Sequence, residues 1–390
     1  MSFHLDAFAQ PEFVRNGTAG FVVSDIRYAL APDADPAKVC PQGFSLNVEQ
    51  IFAKTAQGKR HRGESDKDYA ARLRDGGKLG STAKTGESLC MNPELSEPDP
   101  NFRTVQGSDI AVEGIDLDGT DSAAADVPDG ASCPHDNFSG IDGQSGIDNQ
   151  FYRVVGCSHS FQPHGSSNGY ATEMLTGSWG ILITLSGVDD IRNDDDVEVG
   201  FFANADPIQL SPLRAPLSYG TYAIDQDPRF RAKAHGRIKD GVLTSDPVDV
   251  RFHNVVNSMR LERALDHARV RMTLSPDGVL EGYLAGYTPV DEMYDLQFGY
   301  RNGKNGAGEL APLPLRLHTA NGAAFVLGYT CPGAYQALHR LADGDRDAKT
   351  GQCSSISTQY RIKAIPAFVV DVATHSANER LEKNSHGNEK

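Results

Sequence analysis

The most regular hydrophobic pattern in the chain lies in its second half. In the segment 268–274, Ala, Val, Met and Leu alternate with Arg and Thr. An alternation with a period of two is typical of a strand that buries one face. The tetrapeptide Asp-Gly-Val-Leu follows this segment at Asp277–Leu280 and also follows the segment 230–238, at Asp240–Leu243. Asp-Gly between two strand segments predicts a β-hairpin at both places.

Shorter apolar segments extend the same pattern. Residues 179–185 and 197–202 are compact apolar runs, and the segments 21–30 and 360–370 also read as strands. Short strands at regular spacing, separated by turn residues, are typical of a β-sandwich. We therefore predict a mainly β protein with a β-sandwich core at about 175–290, irregular, disulfide-held acidic loop regions and a few short helices.

Helix signals are confined to a few places. Residues 47–54 carry an apolar face, and Ser65 followed by Asp68 resembles an N-cap pair whose helix would end at Gly76-Gly77. A further helix is predicted to begin at Cys331 and to run through Ala342. Residues 291–325 are rich in turn signals and are expected to wrap the sandwich.

These signals divide the chain into four parts. An irregular N-terminal region, 1–174, precedes the sandwich at 175–290. A C-terminal α+β extension follows at 291–371, and a polar tail at 372–390 is expected to be disordered.

The segment 104–152 has the most unusual composition. It contains nine aspartates, one glutamate and seven glycines but no lysine or arginine. A hexapeptide occurs twice in tandem, as Ser139–Gln144 and Ser145–Gln150, and its Gly-Ile-Asp core appears once more at Gly114–Asp116. Acidic runs are usually solvated loops. The regular isoleucines and the flanking aromatic residues indicate order instead.

Carboxylate, amide and carbonyl oxygens in tight turns are the ligands that calcium prefers. A second acidic group lies between two predicted strands, and a third begins like an EF-hand loop but lacks its glycine and its glutamate. The alternatives for these groups are a solvent-exposed hairpin tip and a disulfide-closed turn. The candidate Ca²⁺ ligands are Asp116, Asp118, Asp121, Asp142, Asp148, Asp189, Asp190, Asp194, Asp196, Asp343, Asp345 and Asp347.

Six cysteines are spread along the chain without a CxxC motif. An even number of this kind favours disulfides and an oxidising compartment. Pairing of sequence neighbours would give Cys40–Cys90, Cys133–Cys157 and Cys331–Cys353, although six cysteines allow about fifteen pairings. No signal peptide is visible at the N-terminus. We expect a secreted or periplasmic protein whose sequence here is the mature chain.

Other chemistry has weaker support. Cys133-x-His135 and Cys157-x-His159 form a symmetric pair that zinc could use, but a disulfide is the preferred interpretation. No Gly-x-Ser-x-Gly or His-Glu-x-x-His motif occurs. His159, His164 and Ser166-Ser167 form the one segment considered for polar catalysis.

A net charge of −15 argues against nucleic acid as a partner, and no apolar run is long enough for a membrane span. We expect a protein partner or a neutral polymer. The first hypothesis is a calcium-stabilised, β-rich binding or accessory protein. An extracellular metal-dependent hydrolase and a structural surface protein are the alternatives.

Overall fold

The computed structural model describes most of the chain. The described residues are 11–107, 109–120, 132–163, 165, 174–175 and 179–372. Within them the protein is mainly β, with a large sheet and a few mostly short helices, which confirms the predicted class.

Thirteen strands and seven α-helices carry the fold of the described residues. The strands are β1 Thr18–Tyr28, β2 Ala111–Val112, β3 Ser139–Gly140, β4 Ile181–Ser186, β5 Asn193–Ala203, β6 Gly220–Ala223, β7 Arg231–Lys239, β8 Val242–Ser245, β9 Val248–Val256, β10 Met259–Leu274, β11 Leu280–Pro289, β12 Gly344–Arg346 and β13 Cys353–Val370. The helices are α1 Pro36–Val39, α2 Val48–Lys54, α3 Asp66–Gly80, α4 Gln150–Val155, α5 Val290–Tyr294, α6 Leu313–Leu327 and α7 Cys331–Arg340.

Eight antiparallel strands pair in a closed ring. Its order is β1, β4, β5, β7, β8, β10, β11 and β13, and β13 pairs back onto β1. Strands β9, β12 and β6 extend this sheet at its margins. The predicted β-sandwich is therefore not confirmed. Strands β1 and β13, which close the ring, lie outside the segment 175–290 in which the sandwich was expected.

Both predicted hairpins are confirmed. Strand β7 pairs with β8, and β10 pairs with β11, across the two Asp-Gly turns. Asp240 and Gly241 both have positive φ, 53° and 79°, which is the conformation that favours Asp-Gly in two-residue hairpins. In β10, Val270, Met272 and Leu274 are buried, as the alternation predicts.

The helix at 47–54 is confirmed, and Asn47 caps its N-terminus in a capping box with Gln50. Ser65 caps α3, but the helix continues past Gly76-Gly77 to Gly80. The prediction that these glycines end the helix was wrong. A Cβ at Gly76 would lie 2.3 Å from the Phe52 ring, so this glycine allows α2 and α3 to approach closely.

The region 291–325 is more regular than its composition suggests. It contains α5, a π-helical turn at Asp295–Gly299 and most of α6, a helix of 15 residues. Pro314 lies in the first turn of α6, where a missing N–H costs nothing, and Gly328 ends the helix with φ of 80°. The expectation of a turn-rich wrap was wrong for α6, because two of its turn signals, Pro312 and Pro314, lie at the N-terminal end of that helix.

All six cysteines form disulfides, which confirms the disulfide prediction. The pairs are Cys40–Cys157, Cys90–Cys331 and Cys133–Cys353, separated by 117, 241 and 220 residues. The pairing of sequence neighbours was therefore wrong. Two of the disulfides join the N-terminal half to the segment 331–353. In the chain-entropy model, a disulfide that closes a loop of this length stabilises the folded state by about 5 kcal/mol.

One large hydrophobic cluster runs from Phe13 to Ala367 and includes residues of the ring, of the loop region and of α7. The acidic segment is therefore packed against the sheet. Among the helices of the described residues, none combines the length and the apolar character that a membrane crossing requires.

Candidate metal centre

Four segments converge on a cluster of acidic residues and one histidine. They are the loop after β2, the segment 132–138 before β3, the turn between β3 and α4, and the residues just before β12. The side chains that meet there are Asp116, Asp118, His135, Asp148 and Asp343.

Asp148 lies at the centre of the cluster and is fully buried. Its Oδ2 accepts hydrogen bonds from the backbone N–H groups of Leu117 at 2.6 Å and Asp118 at 3.2 Å. Its Oδ1 accepts one from the Asn137 amide at 2.6 Å and lies 2.8 Å from Nε2 of His135. Burial raises the pKa of Asp148, and the hydrogen bond and charge of His135 act against that rise.

The imidazole of His135 faces acceptors on both sides. Nδ1 lies 2.8 Å from the carbonyl oxygen of Cys133, which can only accept, so Nδ1 carries a hydrogen. Nε2 lies 2.8 Å from Asp148 Oδ1 and 3.8 Å from Asp343 Oδ2. Burial lowers the pKa of His135, but the hydrogen bond to Asp148 and the two carboxylate charges outweigh it and raise the pKa to about 9.

Asp343 is also fully buried, and only one of its carboxylate oxygens has a hydrogen-bond partner among the described residues. Oδ1 accepts from the N–H of Ser357 at 2.7 Å, whereas Oδ2 accepts no hydrogen bond and faces the histidine. Burial raises the pKa of Asp343 to about 7, against the charge of His135 and the hydrogen bond of Ser357. A buried oxygen without a donor is costly unless a cation or a proton satisfies it.

Asp118 and Asp116 complete the cluster at its more exposed side. One ligand atom from each of Asp118, His135 and Asp148 can be chosen so that the three lie within 4.8 Å of one another. Asp118 Oδ1 accepts from the Thr120 N–H at 2.8 Å. Asp116 Oδ1 accepts from Gly119, and its pKa is raised to about 6 by burial and by the charges of Asp148 and Asp118.

The sheet holds these loops in place through Gln359 on β13. Its side-chain oxygen accepts from the N–H of Ile115 at 2.7 Å, and its amide donates to the carbonyl oxygens of Ile115 and Asp148. Asp343 is held by backbone hydrogen bonds to Ser355 and Cys133. The Cys133–Cys353 disulfide joins the segment 132–138 to the start of β13. The cluster is therefore held by Gln359, by the backbone hydrogen bonds of Asp343 and by this disulfide.

The arrangement has one plain chemical consequence. With Nδ1 protonated, a neutral His135 presents the lone pair of Nε2 to two carboxylates. The Nε2 lone pair and the oxygens of Asp148 and Asp343 would all be acceptors with no hydrogen between them. The cluster therefore needs either a proton on Nε2 or a bound cation. Oxygen and imidazole ligands at this spacing are suited to a divalent metal ion.

Asp142, in the first copy of the hexapeptide, does not join the cluster. It forms an ion pair with Arg271 at 2.9 Å, and its side chain is 43% exposed. Asp121 lies outside the described residues.

Asp189 and Asp190 between β4 and β5, together with Asp194 and Asp196 at the start of β5, form a compact turn. Asp194 accepts hydrogen bonds from the backbone N–H groups of Asp189, Asp190 and Asp196. Asp190 similarly accepts from the N–H of Arg192. The aspartates of this turn thus serve as acceptors for its backbone N–H groups. Burial acts to raise the pKa of Asp194, but these hydrogen bonds outweigh it and lower the pKa.

The three aspartates of the EF-hand-like segment, Asp343, Asp345 and Asp347, do not converge on one site. Asp347 accepts from the N–H groups of Lys349 and Thr350 and closes a turn. Asp345 has a φ of 51° and lies 3.9 Å from His267. Of this group only Asp343 points into the cluster.

The sequence did not identify His135 as a partner of the aspartates. Its Cys-x-His spacing drew attention, but Cys133 and Cys157 are both in disulfides, with different partners, so neither is a thiolate ligand. Gln359, Asn137 and Ser357 were also missed, because no local pattern marks them. His159 lies in a short 3₁₀ helix beside Phe44, and His164 and Ser166-Ser167 lie outside the described residues.

Comparison of the chain with family models, with curated proteins and with solved structures finds no match in any of the three.

Proposed function

We propose that the protein is an exported binding or accessory protein whose loop region is locked by one divalent metal ion. The ligands in this proposal are Asp118, His135, Asp148 and Asp343. The observation that carries it is the second carboxylate oxygen of Asp343, which is fully buried, has no hydrogen-bond partner among the described residues and faces Nε2 of His135.

The environment of His135 supports the same proposal. Histidines that bind metals through Nε2 usually donate Nδ1–H to a carbonyl or carboxylate, which fixes the tautomer. The contact with the Cys133 carbonyl is of this kind. A metal ion would replace the proton that otherwise has to lie between His135 and Asp148.

The donor set bears on which ion is bound. Calcium takes six to eight oxygens and rarely uses imidazole, whereas Zn²⁺ and Mn²⁺ accept mixed nitrogen and oxygen ligands. We therefore expect Zn²⁺ or Mn²⁺ to bind more tightly here than Ca²⁺, which was the ion predicted from the sequence. Asp148 and Asp343 are fully buried, and buried, closed sites favour a structural role of the metal over a hydrolytic one.

Three disulfides support export, because such bonds persist in oxidising compartments. In this proposal the Cys133–Cys353 disulfide and the metal have the same task. Both join the acidic segment to β12 and β13, so the loops keep one arrangement on the surface of the sheet.

The test is thermal melting of metal-stripped protein with Zn²⁺, Mn²⁺ or Ca²⁺ added, together with elemental analysis of the protein as purified. A micromolar site at millimolar metal should add about 4 kcal/mol to the free energy of unfolding. One equivalent of bound metal is expected. An unchanged melting temperature with all three ions would overturn the proposal.

Asp343→Asn provides the sharper variant. Its side-chain oxygen can still accept the Ser357 hydrogen bond, but the variant loses one anionic ligand. With a metal site, it should lose the response to metal. With a structural proton instead, removal of a strained buried charge should leave stability unchanged or raise it. Asp142→Asn is the matched control and should keep the full metal response.

A further inference from the structure

A cavity of about 420 Å³ lies beside the segment that carries His135. Its lining comes from residues 40–43, residues 102–107 and the C-terminal end of α7, and Asp136 and Arg153 complete it. Asp136 directly follows His135 in the chain, and Arg153 lies on α4, which begins just after Asp148 and Asn149.

The charges around this cavity are opposite to those of the whole chain. Three arginines, Arg103, Arg153 and Arg340, line it together with a single carboxylate, Asp136. The chain as a whole carries a net charge of −15. A local surplus of positive charge in an acidic protein concentrates anions at that point.

None of these three arginines forms an ion pair within the part of the chain that the structure describes. Arg153 is only 6% exposed and donates to the carbonyl oxygens of Gly107 at 3.0 Å and Asp136 at 2.9 Å. Its guanidinium also lies 4.2 Å from the centre of the Phe138 ring. Arg103 donates to the carbonyl oxygen of Pro100, and Arg340 is exposed at the end of α7. Arg153 also donates from Nε to the Gln150 side-chain oxygen at 3.0 Å, so its guanidinium is satisfied within the protein and contributes mainly its charge. Arg103 and Arg340 line the cavity without a carboxylate partner among the described residues, so their guanidinium groups can face an anion there.

We propose that this cavity binds a small, polar, anionic molecule of about monosaccharide size through a phosphate, sulfate or carboxylate group. Guanidinium groups bind such groups with two parallel hydrogen bonds. The volume exceeds that of a bare phosphate, and Gln42, Thr104 and Gln106 offer amide and hydroxyl groups to the rest of the molecule. This inference supplies a ligand class for the binding role proposed above but does not rest on the metal site.

Isothermal titration calorimetry at constant ionic strength tests it, with inorganic phosphate, sulfate, glucose 6-phosphate, glucuronate and glucose as probes. We expect the phosphosugar to bind more tightly than phosphate, and glucose to give no signal. Titrations with and without a chelator should agree, which separates this site from the metal centre. A dissociation constant of about 10 mM is on the order of the weakest specific affinity. The proposal would be overturned if none of the anions bound at that concentration.

Three variants make the test specific. Arg340→Ala and Arg103→Ala should each weaken phosphosugar binding about tenfold or more, since each removes a charge-assisted hydrogen bond. Asp136→Asn removes the one carboxylate of the lining and should tighten binding severalfold. Arg260→Ala is the matched control, because Arg260 is an exposed arginine on β10 that does not line the cavity.

The side chain of Arg340 is exposed, so its variant is expected to keep the melting temperature of the unmodified protein. Equal losses of affinity in Arg340→Ala and Arg260→Ala would show only a general effect of net charge. That outcome would also contradict the proposal.

Discussion

The two copies of the hexapeptide have nearly the same sequence and opposite surroundings. In the first copy Ile141 is 47% exposed and Asp142 pairs with Arg271 at the surface. In the second copy Ile147 and Asp148 are both fully buried, and Asp148 forms the centre of the acidic cluster. Nearly identical local sequence therefore does not decide which aspartate is buried.

The difference arises from distant parts of the chain. The second copy pairs with Phe138, is held by Gln359 and meets His135. The first copy forms β3 and a turn whose neighbours are β2 and the outer face of β10. Asp148 accepts hydrogen bonds from two backbone N–H groups and the Asn137 amide in a fully buried position. Asp142 accepts hydrogen bonds from the N–H of Gln144 and the guanidinium of Arg271 at the surface.

The largest contrast is expected between Asp148→Ala and Asp142→Ala. Asp148→Ala leaves His135, Asn137 and two backbone N–H groups without their acceptor, and loss of one member of a buried pair costs about 3–5 kcal/mol. Asp142→Ala removes a surface pair and should cost about 0.5 kcal/mol. Urea unfolding in chelator measures both without a contribution from metal. Equal losses would contradict the assignment of the two environments.

The isoleucines give the next contrast. Ile147→Ala empties space in the core and should cost about 3 kcal/mol, whereas Ile141→Ala should stay within about 0.5 kcal/mol. The same denaturant series, with unchanged slopes, measures the two values. A large loss in Ile141→Ala would show that the first copy is packed in solution.

The glycines separate backbone strain from crowding. Gly146 and Gly143 have φ of 76° and 84°, so alanine should cost about 1 kcal/mol at either position. A Cβ at Gly146 would also lie 3.2 Å from Asp116 Oδ2, while nothing lies within 4 Å at Gly143. We expect Gly146→Ala to be the more destabilising by thermal melting. The reverse order would place Asp116 elsewhere.

The smallest effect is the pH dependence of the surface pair. The hydrogen bond from Arg271 lowers the pKa of Asp142. A lowered carboxylate pKa stabilises the folded state above the ordinary value, near 4, and this stabilisation is lost as the pH falls through the lowered pKa. Asp142→Asn should therefore cost a few tenths of a kcal/mol, on the order of an exposed pair, at pH 7 and less at pH 2.5.

Urea unfolding at both pH values checks this, with Arg271→Gln as the partner variant. The two single variants and the double variant should lose the same small amount at pH 7. A loss of the same size at pH 2.5 would assign it to packing.

The sequence by itself determined much of the local structure of this protein. Alternation identified strands such as β10, and Asp-Gly identified both hairpins. The apolar face of residues 47–54 identified α2, and the Ser65 cap identified the start of α3. These signals succeed because turn and cap preferences depend on residues only a few positions apart. The even cysteine count indicated disulfides but could not pair them, because the pairing depends on contacts between distant segments.

The tertiary structure decided which residues meet. It closed the strand ring through β1 and β13, paired cysteines up to 241 residues apart and brought Asp148 against His135 and Asp343. Burial and pairing at such separations depend on how the whole core packs. A short motif therefore names the candidates for a site, and only the packed core determines which of them are buried together.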